Sequence, residues 1–379
     1  MLYFTIQMGS KRVAFVLLAA APLLCAHCGS GGMSPATMSQ IRQAHDRMLT
    51  VDAYIDSIGN FLEPGWKIGE RHDPKRPGGG QVDLPRMKEG GLDAAFFVVP
   101  VEQGERTPEG FANARESAAH AIDRIRSVTE ENSLHLGLAL SSGDAYRFEK
   151  LGKRAAFIGL GNGYAIGTDL SLIEWYHAKG VSYLTLCGDA DNEICDSATD
   201  RARPEDSGLS GFGRRVVMEC NRVGMMIDVS HCSEKSFFEV LSVSRAPVIV
   251  SHSAARALCD RPDNMSDAMI RALAEKGGVA QVCFVPERLT RPTKKLRASV
   301  SDIVDHIDHV IRLAGIDCAG IGSTFDGGGG VSGCGNVGEM LNLTIELLRR
   351  GYGEHAVEAI WGGNIMRVLK QVELIAELE

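Results

Sequence analysis

Beyond Met48 the chain repeats one pattern: a short apolar run rich in β-branched and aromatic residues, a polar or glycine-rich loop, and an amphipathic stretch. Each run has the length of a strand and is almost continuously apolar, which predicts a strand buried on both faces. A further run at 134–140 is expected to lie outside the main set. The eight main runs cover residues 48–54, 92–101, 155–161, 181–188, 224–231, 246–252, 277–285 and 318–324.

The stretches between these runs carry apolar residues three and four positions apart, which is the spacing of an amphipathic helix. In one of them, Asp267 to Ala274, the preceding Ser266 is a suitable N-cap. The last helical stretch contains Gly362 and Gly363, where we expect an interruption. The predicted helices cover residues 111–125, 170–179, 213–223, 234–243, 265–276, 301–314, 337–350 and 355–378.

Eight alternating strand and helix units over roughly 300 residues fit a closed α/β barrel of the (β/α)₈ TIM type better than an open doubly wound sheet. We therefore expect one domain over residues 48–379, with a leader at 1–28 and a lead-in at 29–47. The segment 63–81 is rich in glycine, proline and charge, and is expected to be a long loop over the barrel mouth. In such barrels the chemistry lies at the C-terminal ends of the strands.

The N-terminus carries a different signal. Lys11 and Arg12 precede an apolar run at 13–26 that is shorter than a typical transmembrane helix. This predicts a secretory signal and an exported protein, periplasmic or extracellular. Two alternatives are an uncleaved N-terminal anchor and a lipid on Cys25 or Cys28, which the residues before these cysteines disfavour.

The composition is that of a globular domain with a substantial core. Of the 379 residues, 44% are hydrophobic and 23% charged, and the net charge of −8 is spread without blocks, so nothing indicates nucleic-acid binding. After the leader the cysteines show no CxxC pair and no zinc-finger spacing. Cys220, Cys232, Cys259 and Cys283 stand in apolar surroundings and are expected to be core residues rather than ligands.

Two histidines and one carboxylate stand where predicted strands end. Residues two apart on a strand face the same side, so Tyr54 and Asp56 should share one space. His231 and His252 each follow a serine at the end of successive strands, and neighbouring strands lie about 4.8 Å apart. Both imidazoles and Asp56 could then bind one cation, a ligand set typical of zinc. The alternative is that each histidine is a core residue bonded to a neighbouring strand.

From about Leu49 to Leu378 the chain resembles the membrane (renal-type) dipeptidases, the M19 metallopeptidases. The segments that carry the resemblance are VDLPRMKEGGLDAAFF, IGLGNGYAIGTDLSLI, VSYLTLCGDADNEICDSA, MIDVSHCSEKSF, VIVSHSAARALCDRPDNMSD and GIGSTFDGG. The resemblance implies a barrel of the metallo-dependent hydrolase kind, often a homodimer, with two zinc ions that hydrolyse dipeptides.

The family's metal ligands are only partly retained. Its His-x-Asp pattern in the first strand is Tyr54-Ile55-Asp56 here, and its bridging glutamate is Gly161. The histidines of the second metal site match His231 and His252. Two zinc ions close together need a shared anion to reduce their repulsion, and a glycine supplies none. We therefore expect at most one zinc ion.

The family's catalytic and substrate-binding positions are also replaced. The histidine that polarises the scissile carbonyl is Gly188, and the aspartate that orients the nucleophilic water is Thr324. The arginine that receives the substrate's carboxylate is Asp263, a reversal of charge that either Arg261 or Arg256 could compensate.

These replacements lead to three hypotheses. The first is a barrel that has lost most or all zinc-dependent hydrolysis and binds a small peptide or peptide-like ligand, with Tyr54 filling a vacated metal pocket. The second is a working zinc dipeptidase in which Asp189 or Asp191 stands in for the missing carboxylates. The third is hydrolysis of a different amide or a lactone, from a substrate whose amine would suit Asp263.

Overall fold

A computed structural model describes residues 35–76, 78–200, 207–290 and 297–378. The predicted leader lies outside the described residues. From Gln40 onward the chain forms one compact unit, and the described residues before it are helical. The strands are β1 (Val51–Ile55), β2 (Ala94–Val99), β3 (Leu136–Leu138), β4 (Arg154–Leu160), β5 (Val181–Thr185), β6 (Met226–Asp228), β7 (Ile249–Ser253), β8 (Val279–Val282) and β9 (Ala319–Ile321).

The helices alternate with the strands, as the apolar spacing predicts. In this part of the chain no helix has the length and apolarity that crossing a bilayer requires. The helices are α1 (Pro35–His45), α2 (Ile58–Leu62), α3 (Leu84–Gly90), α4 (Pro108–Glu131), α5 (Ser142–Lys150), α6 (Ser171–Ala178), α7 (Gly211–Val223), α8 (Glu234–Val243), α9 (Asp267–Glu275), α10 (Pro286–Leu289), α11 (Val300–Ala314), α12 (Leu341–Arg349), α13 (Glu354–Glu358) and α14 (Asn364–Ala376).

Eight parallel strands form a nearly closed barrel, so the predicted fold class is confirmed. Their order is β1-β2-β4-β5-β6-β7-β8-β9. β3 pairs only with the first half of β4, and β5 pairs with β4 from Ile158 onward, so the run at 134–140 does lie outside the main set. The first and last strands meet just beyond their ends, where Asp56 N donates to Phe325 O over 2.9 Å.

Alternate residues of the strands face two different cores. On β2, Phe96 belongs to a first buried cluster with Phe157 and Tyr183. Its neighbour Phe97 belongs to a second, larger cluster that includes side chains of α4, α7, α9 and α11. The Phe96 and Phe157 rings stack with centroids 4.6 Å apart. α14 adds five apolar side chains to the first cluster: Ile365, Met366, Val368, Leu369 and Val372.

The interruption expected near the C-terminus is a single π-helical turn, Ala359–Gly363, between α13 and α14. Gly362 lies against the start of β1, and a Cβ there would come within 2.5 Å of Leu49 O. A glycine is therefore required for this close backbone approach. Ser266 caps α9 as predicted, since its hydroxyl accepts from Met269 N over 3.3 Å.

The long loop after β1 is anchored by Asp326. Gln81 N donates to Asp326 Oδ1 over 2.5 Å, and Asp326 N donates to Gln81 Oε1 over 2.6 Å. Ser57 Oγ donates to the other carboxylate oxygen. Asp326 therefore links the end of this loop to the residues that follow β1.

Candidate active site

His231 and His252, hereafter the histidine pair, meet at the C-terminal end of the barrel. His252 lies within β7, whereas His231 stands three residues beyond the end of β6 at Asp228. Their Nε2 atoms are 3.1 Å apart and their ring centroids 5.0 Å apart. Two tetrahedral ligands at about 2.05 Å from a zinc ion lie about 3.3 Å from each other. The two nitrogens can therefore share a proton or hold one zinc ion.

A buried chain of hydrogen bonds orients the His252 ring. The Ser251 hydroxyl donates to Asp228 Oδ2 over 2.6 Å, and Ser251 Oγ lies 2.8 Å from His252 Nδ1. Since the hydroxyl gives its one proton to the carboxylate, it accepts from Nδ1, and Nε2 presents its lone pair. Burial and the charges of His231 and Arg288 hold the pKa of His252 well below its usual range. His252 is therefore a neutral imidazole whose Nε2 is ready to bind a cation.

Asp189 contacts the far side of the His231 ring. Asp189 Oδ1 is 3.2 Å from His231 Nδ1, an ion-pair distance, but the angle is not that of a hydrogen bond. The contact with His231 lowers the pKa of Asp189. Asp189 thus lies beside Nδ1 and adds no oxygen between the two Nε2 atoms. Asp191 is buried and accepts a hydrogen bond from Ser197 N over 2.7 Å. Its carboxylate therefore stabilises the loop and is not directed to a ligand.

Tyr54 packs its ring against His252, with centroids 3.8 Å apart and an interplanar angle of 36°. Burial, and then the charges of Asp56 and Asp228, raise the pKa of Tyr54 above its usual value. Its hydroxyl therefore stays protonated and is a weak metal ligand. The ring therefore covers one side of the His252 imidazole.

Asp56 lines a cavity of about 290 Å³ together with Asp326 and the glycines at 78–80. Burial, and then the charge of Asp326, raise the pKa of Asp56 to about 6. Its carboxylate is therefore close to a second acid and does not join the histidine pair in a three-donor group.

The described residues contain one group of three His, Cys, Asp or Glu side chains whose donor atoms lie within 4.8 Å of one another. That group is Cys187, Cys195 and Cys232. Asp56 does not complete such a group with the histidine pair. The zinc site predicted from the pair and Asp56 therefore stays a prediction, and only two of its three donors meet.

Gly161 and Gly188 offer no side chain to the site, and their surroundings are already occupied. A Cβ on Gly161 would lie 3.1 Å from both Val98 Cγ1 and Val99 O. A Cβ on Gly188 would lie 3.0 Å from Asn162 Nδ2. The space beside Gly188 is therefore taken by the Asn162 amide.

Asp263 is buried between two arginines. Its Oδ1 is 2.9 Å from Arg261 Nε, and its Oδ2 is 3.0 Å from Arg288 Nε. Burial alone would raise the pKa of Asp263, but the charges of Arg288 and Arg261 hold this pKa below its usual value. Of the two arginines considered from the sequence, Arg261 pairs with Asp263 itself, whereas Arg256 pairs with Glu234 at 3.2 Å. Asp263 is therefore committed to internal ion pairs, in a triad of net charge +1.

Arg288, on α10, is the residue that sequence reasoning missed. Its Nη1 donates to His252 O over 2.9 Å, and its side chain is 12% exposed. It lies six residues beyond the end of β8. Its only sequence signal is a basic residue in the short helix that follows a strand of the barrel. It brings a guanidinium into contact with the main chain of His252.

Thr324 holds a strained backbone conformation at the barrel mouth. Its φ of +59° lies in the left-handed region, which is unfavourable for a β-branched residue. The residue is 3% exposed, its N donates to Tyr54 O over 2.8 Å, and its hydroxyl donates to Ser323 O. This strain occurs where the family resemblance places an aspartate, a residue that tolerates the left-handed region better.

Replacing Thr324 by asparagine is expected to raise the free energy of unfolding by about 1 kcal/mol, because asparagine adopts this φ with less strain. Urea denaturation followed by circular dichroism measures the change. Thr324→Val is the matched control, since it keeps the branched Cβ and should bring no gain. An asparagine variant no more stable than the parent chain would contradict this account of the strain.

Comparison with known proteins places the whole barrel in one family. The model of the membrane dipeptidase family, peptidase family M19, matches residues 38–379. The chain is 33% identical to dipeptidase tcpJ of Claviceps purpurea over 386 residues, which is 97% of this chain and 86% of that protein. It is 36% identical to dipeptidase 3 of Rattus norvegicus over 304 residues, covering 79% of this chain and 60% of that protein.

Solved structures agree on the fold. The probable dipeptidase PvdM from Pseudomonas aeruginosa is 27% identical, with a TM-score of 0.83 over 90% of this chain and all of that one. A metallopeptidase from Rhodobacter sphaeroides, solved with a phosphinate mimic of the dipeptide L-Ala-D-Ala, is 24% identical. Its TM-score is 0.75, over 86% of this chain and 99% of that one. The match of the family model and the identity to the dipeptidases show that this chain belongs to the membrane dipeptidase family, peptidase family M19.

Proposed function

We propose that this chain is a dipeptidase-family barrel that has lost most or all zinc-dependent hydrolysis and binds a small peptide or peptide-like ligand at the barrel mouth. One observation carries the proposal: within the described residues, no carboxylate joins the histidine pair to make a three-donor site. A catalytic zinc ion has three protein ligands and an open position for water. Two imidazoles fit one ion only loosely, and among the described residues no further histidine or carboxylate group offers a place for the second ion of the family.

The groups that would act on a substrate are missing as well. Gly188 has no side chain with which to polarise a carbonyl, and removing one such donor typically costs on the order of 10²–10³ in rate. The Thr324 hydroxyl donates to a neighbouring carbonyl oxygen and cannot accept a proton from a nucleophilic water as a carboxylate would. Neither the base nor the donor has a substitute among the contacts described above.

The charge near His252 supports binding of a ligand with a carboxylate. Arg261, Asp263 and Arg288 together carry one net positive charge, and Arg288 contacts the main chain of His252. A peptide's terminal carboxylate would be attracted by this excess charge. The relatives at 33–36% identity are named dipeptidases, so a peptide of two residues is the ligand class to test first.

A second candidate function is a dipeptidase that works with one zinc ion. The observation in its favour is the ordered tautomer of His252, in which Ser251 and Asp228 turn Nε2 toward His231. Such outer hydrogen bonds typically orient metal ligands. In this second candidate they would allow zinc binding to be retained, but they supply no base.

The two functions are separated by zinc content and turnover of the purified protein. We expect less than one zinc ion per chain and no measurable hydrolysis of Gly-Leu or Ala-Ala, with binding of the dipeptide detected by calorimetry. Two zinc ions per chain together with turnover would refute the proposal. One zinc ion with turnover would establish the second candidate.

A gain-of-function variant tests the same point from the other direction. The combination Tyr54→His, Gly161→Glu, Gly188→His, Asp263→Arg and Thr324→Asp should bring Gly-Leu hydrolysis to at least about tenfold above the detection limit that the parent chain does not reach, because it restores ligands, base and donor. Neither glycine has a positive φ, so the backbone accepts a side chain at both positions, while the 3.0–3.1 Å contacts with Val98, Val99 and Asn162 require these neighbours to shift by a few tenths of an ångström. The control adds His231→Ala and His252→Ala, which should abolish the recovered activity.

A further inference from the structure

Three cysteine thiols converge behind the histidine pair. Cys187 lies two residues beyond β5, Cys195 lies in the loop that follows, and Cys232 directly follows His231. Their sulfur atoms all lie within 4.8 Å of one another, and Cys195 Sγ is 3.7 Å from Cys232 Sγ. The three residues are 0%, 1% and 3% exposed. The described part of the chain contains no other group of this kind.

Backbone hydrogen bonds fix the positions of these residues. Ser197 and Cys232 form an antiparallel bridge, and Ala198 N donates to His231 O over 2.8 Å. Asn192 Oδ1 accepts from Cys195 N over 3.2 Å. The loop is therefore held against the end of β6 independently of the thiols. The sulfur positions are set by the fold, as a preformed binding site requires.

The separation of the Cys195 and Cys232 sulfurs matches shared coordination of a metal ion, and Cys187 Sγ lies within 4.8 Å of both. Sulfurs at about 2.3 Å from one ion lie about 3.8–4.0 Å apart in tetrahedral or trigonal geometry. The distance of 3.7 Å between Cys195 and Cys232 is close to this value. A disulfide would need a separation of about 2.05 Å.

We propose that Cys187, Cys195 and Cys232 form a three-thiolate site for a cuprous ion, separate from the histidine pair. Soft thiolate ligands select soft cations such as Cu(I) and Zn(II). Structural zinc takes four ligands, and within the described residues no fourth His, Cys, Asp or Glu donor joins this group. A buried site with three sulfurs and little access for water suits an ion that accepts three-coordinate geometry.

A bound ion would link three parts of the barrel mouth. It would join the end of β5, the loop that carries Asp189, and the residue after His231. Binding converts thiols to thiolates and releases protons to solvent, with no change in the oxidation state of copper or sulfur. The role we assign is structural: the ion holds Asp189 and the histidine pair in one arrangement.

The test is an anaerobic titration of the reduced protein with Cu(I), in the full chain with Cys25→Ser and Cys28→Ser so that the leader's CxxC pair does not bind copper, followed by ultraviolet thiolate-to-copper absorption. We expect one ion per chain, in competition with bicinchoninate, and X-ray absorption showing three sulfur neighbours at about 2.3 Å. Each of the variants Cys187→Ser, Cys195→Ser and Cys232→Ser should lower the affinity for Cu(I) at least about 100-fold. Cys220→Ser is the matched control, because that thiol is equally buried, on α7, outside the cluster.

A second control separates this site from the histidine pair, since His231→Ala with His252→Ala should leave the Cu(I) affinity unchanged. Loss of binding in that variant would overturn the proposal, as would a copper environment of nitrogen rather than sulfur. A disulfide between Cys195 and Cys232 in the protein as isolated, seen as a mass lower by 2 Da, would also overturn it. So would one zinc ion per chain that Cu(I) does not displace. The absorption spectrum of the parent chain decides the matter even if the serine variants do not fold.

Discussion

Replacing Asp228 by alanine is expected to lower the free energy of unfolding by about 3–5 kcal/mol, because a buried acceptor with many partners disappears. Its carboxylate is fully buried and accepts five hydrogen bonds. The donors are Thr185 Oγ1, the N and Oγ atoms of Ser230, and the N and Oγ atoms of Ser251. Each buried donor left without a partner costs about 1–3 kcal/mol, and the hydroxyls can recover part of this by bonding to each other.

Urea denaturation of Asp228→Ala measures this loss, and Thr185→Val provides the graded control. The valine variant keeps the shape of the side chain and removes one of the five donors, so it should cost only about 1 kcal/mol. A cost for Asp228→Ala no larger than that of Thr185→Val would mean that the network does not support the barrel mouth. It would also remove the basis for the His252 tautomer.

The barrel was predictable from the sequence because burial sets a local pattern. Each of the eight barrel strands is buried on both faces, so its sequence is an almost continuous apolar run. This run can be recognised without knowing which strand lies beside it. The departures from the regular pattern were also predicted: the short run at 134–140 contains β3, which pairs with only the first half of β4. The pair Gly362-Gly363 became a π-helical turn against Leu49. Strand bounds were less exact, and His231 lies beyond its strand.

The histidine pair was predictable, but its surroundings were not. The rule that parallel strand ends meet at one edge brought His231 and His252 together. It could not show that the Asp56 carboxylate lies beside Asp326, because that depends on the side chain's direction in a loop-covered cavity. It also missed Arg288, which reaches Asp263 from a different loop.

The cysteine cluster escaped prediction for a related reason. Metal motifs are recognised by short, regular spacing, whereas these thiols are 8 and 37 residues apart along the chain. Cys232 was expected to be a core residue rather than a ligand; its burial is confirmed, but the ligand role proposed above departs from that expectation. Only the neighbouring positions of β5 and β6 in the barrel bring the three sulfurs together.

Asp52 should make the stability of the barrel fall as the pH rises. Its carboxylate is fully buried; Oδ1 accepts from Ser323 N over 2.8 Å and from Tyr54 N over 3.1 Å, and Oδ2 has no hydrogen-bond partner. Burial raises the pKa of Asp52 to about 7, despite these hydrogen bonds. In the unfolded chain an aspartate has a pKa of about 3.9. Between these values the unfolded chain loses its proton while the folded chain keeps it, so folding becomes less favourable up to pH 7 and the loss is constant above.

We therefore expect Asp52→Asn to be about as stable as the parent chain at pH 4 and more stable at pH 8, by about 2–4 kcal/mol. The amide keeps the acceptor oxygen but cannot ionise, so it removes the cost of burying a charge. Denaturation curves at pH 4, 6 and 8 measure the difference. Asp83→Asn is the matched control, because that carboxylate is equally buried but lies 2.8 Å from Arg86 Nε, so the same change should destabilise the protein at pH 8. A benefit of Asp52→Asn that is the same at every pH would show that the buried carboxyl does not titrate with folding.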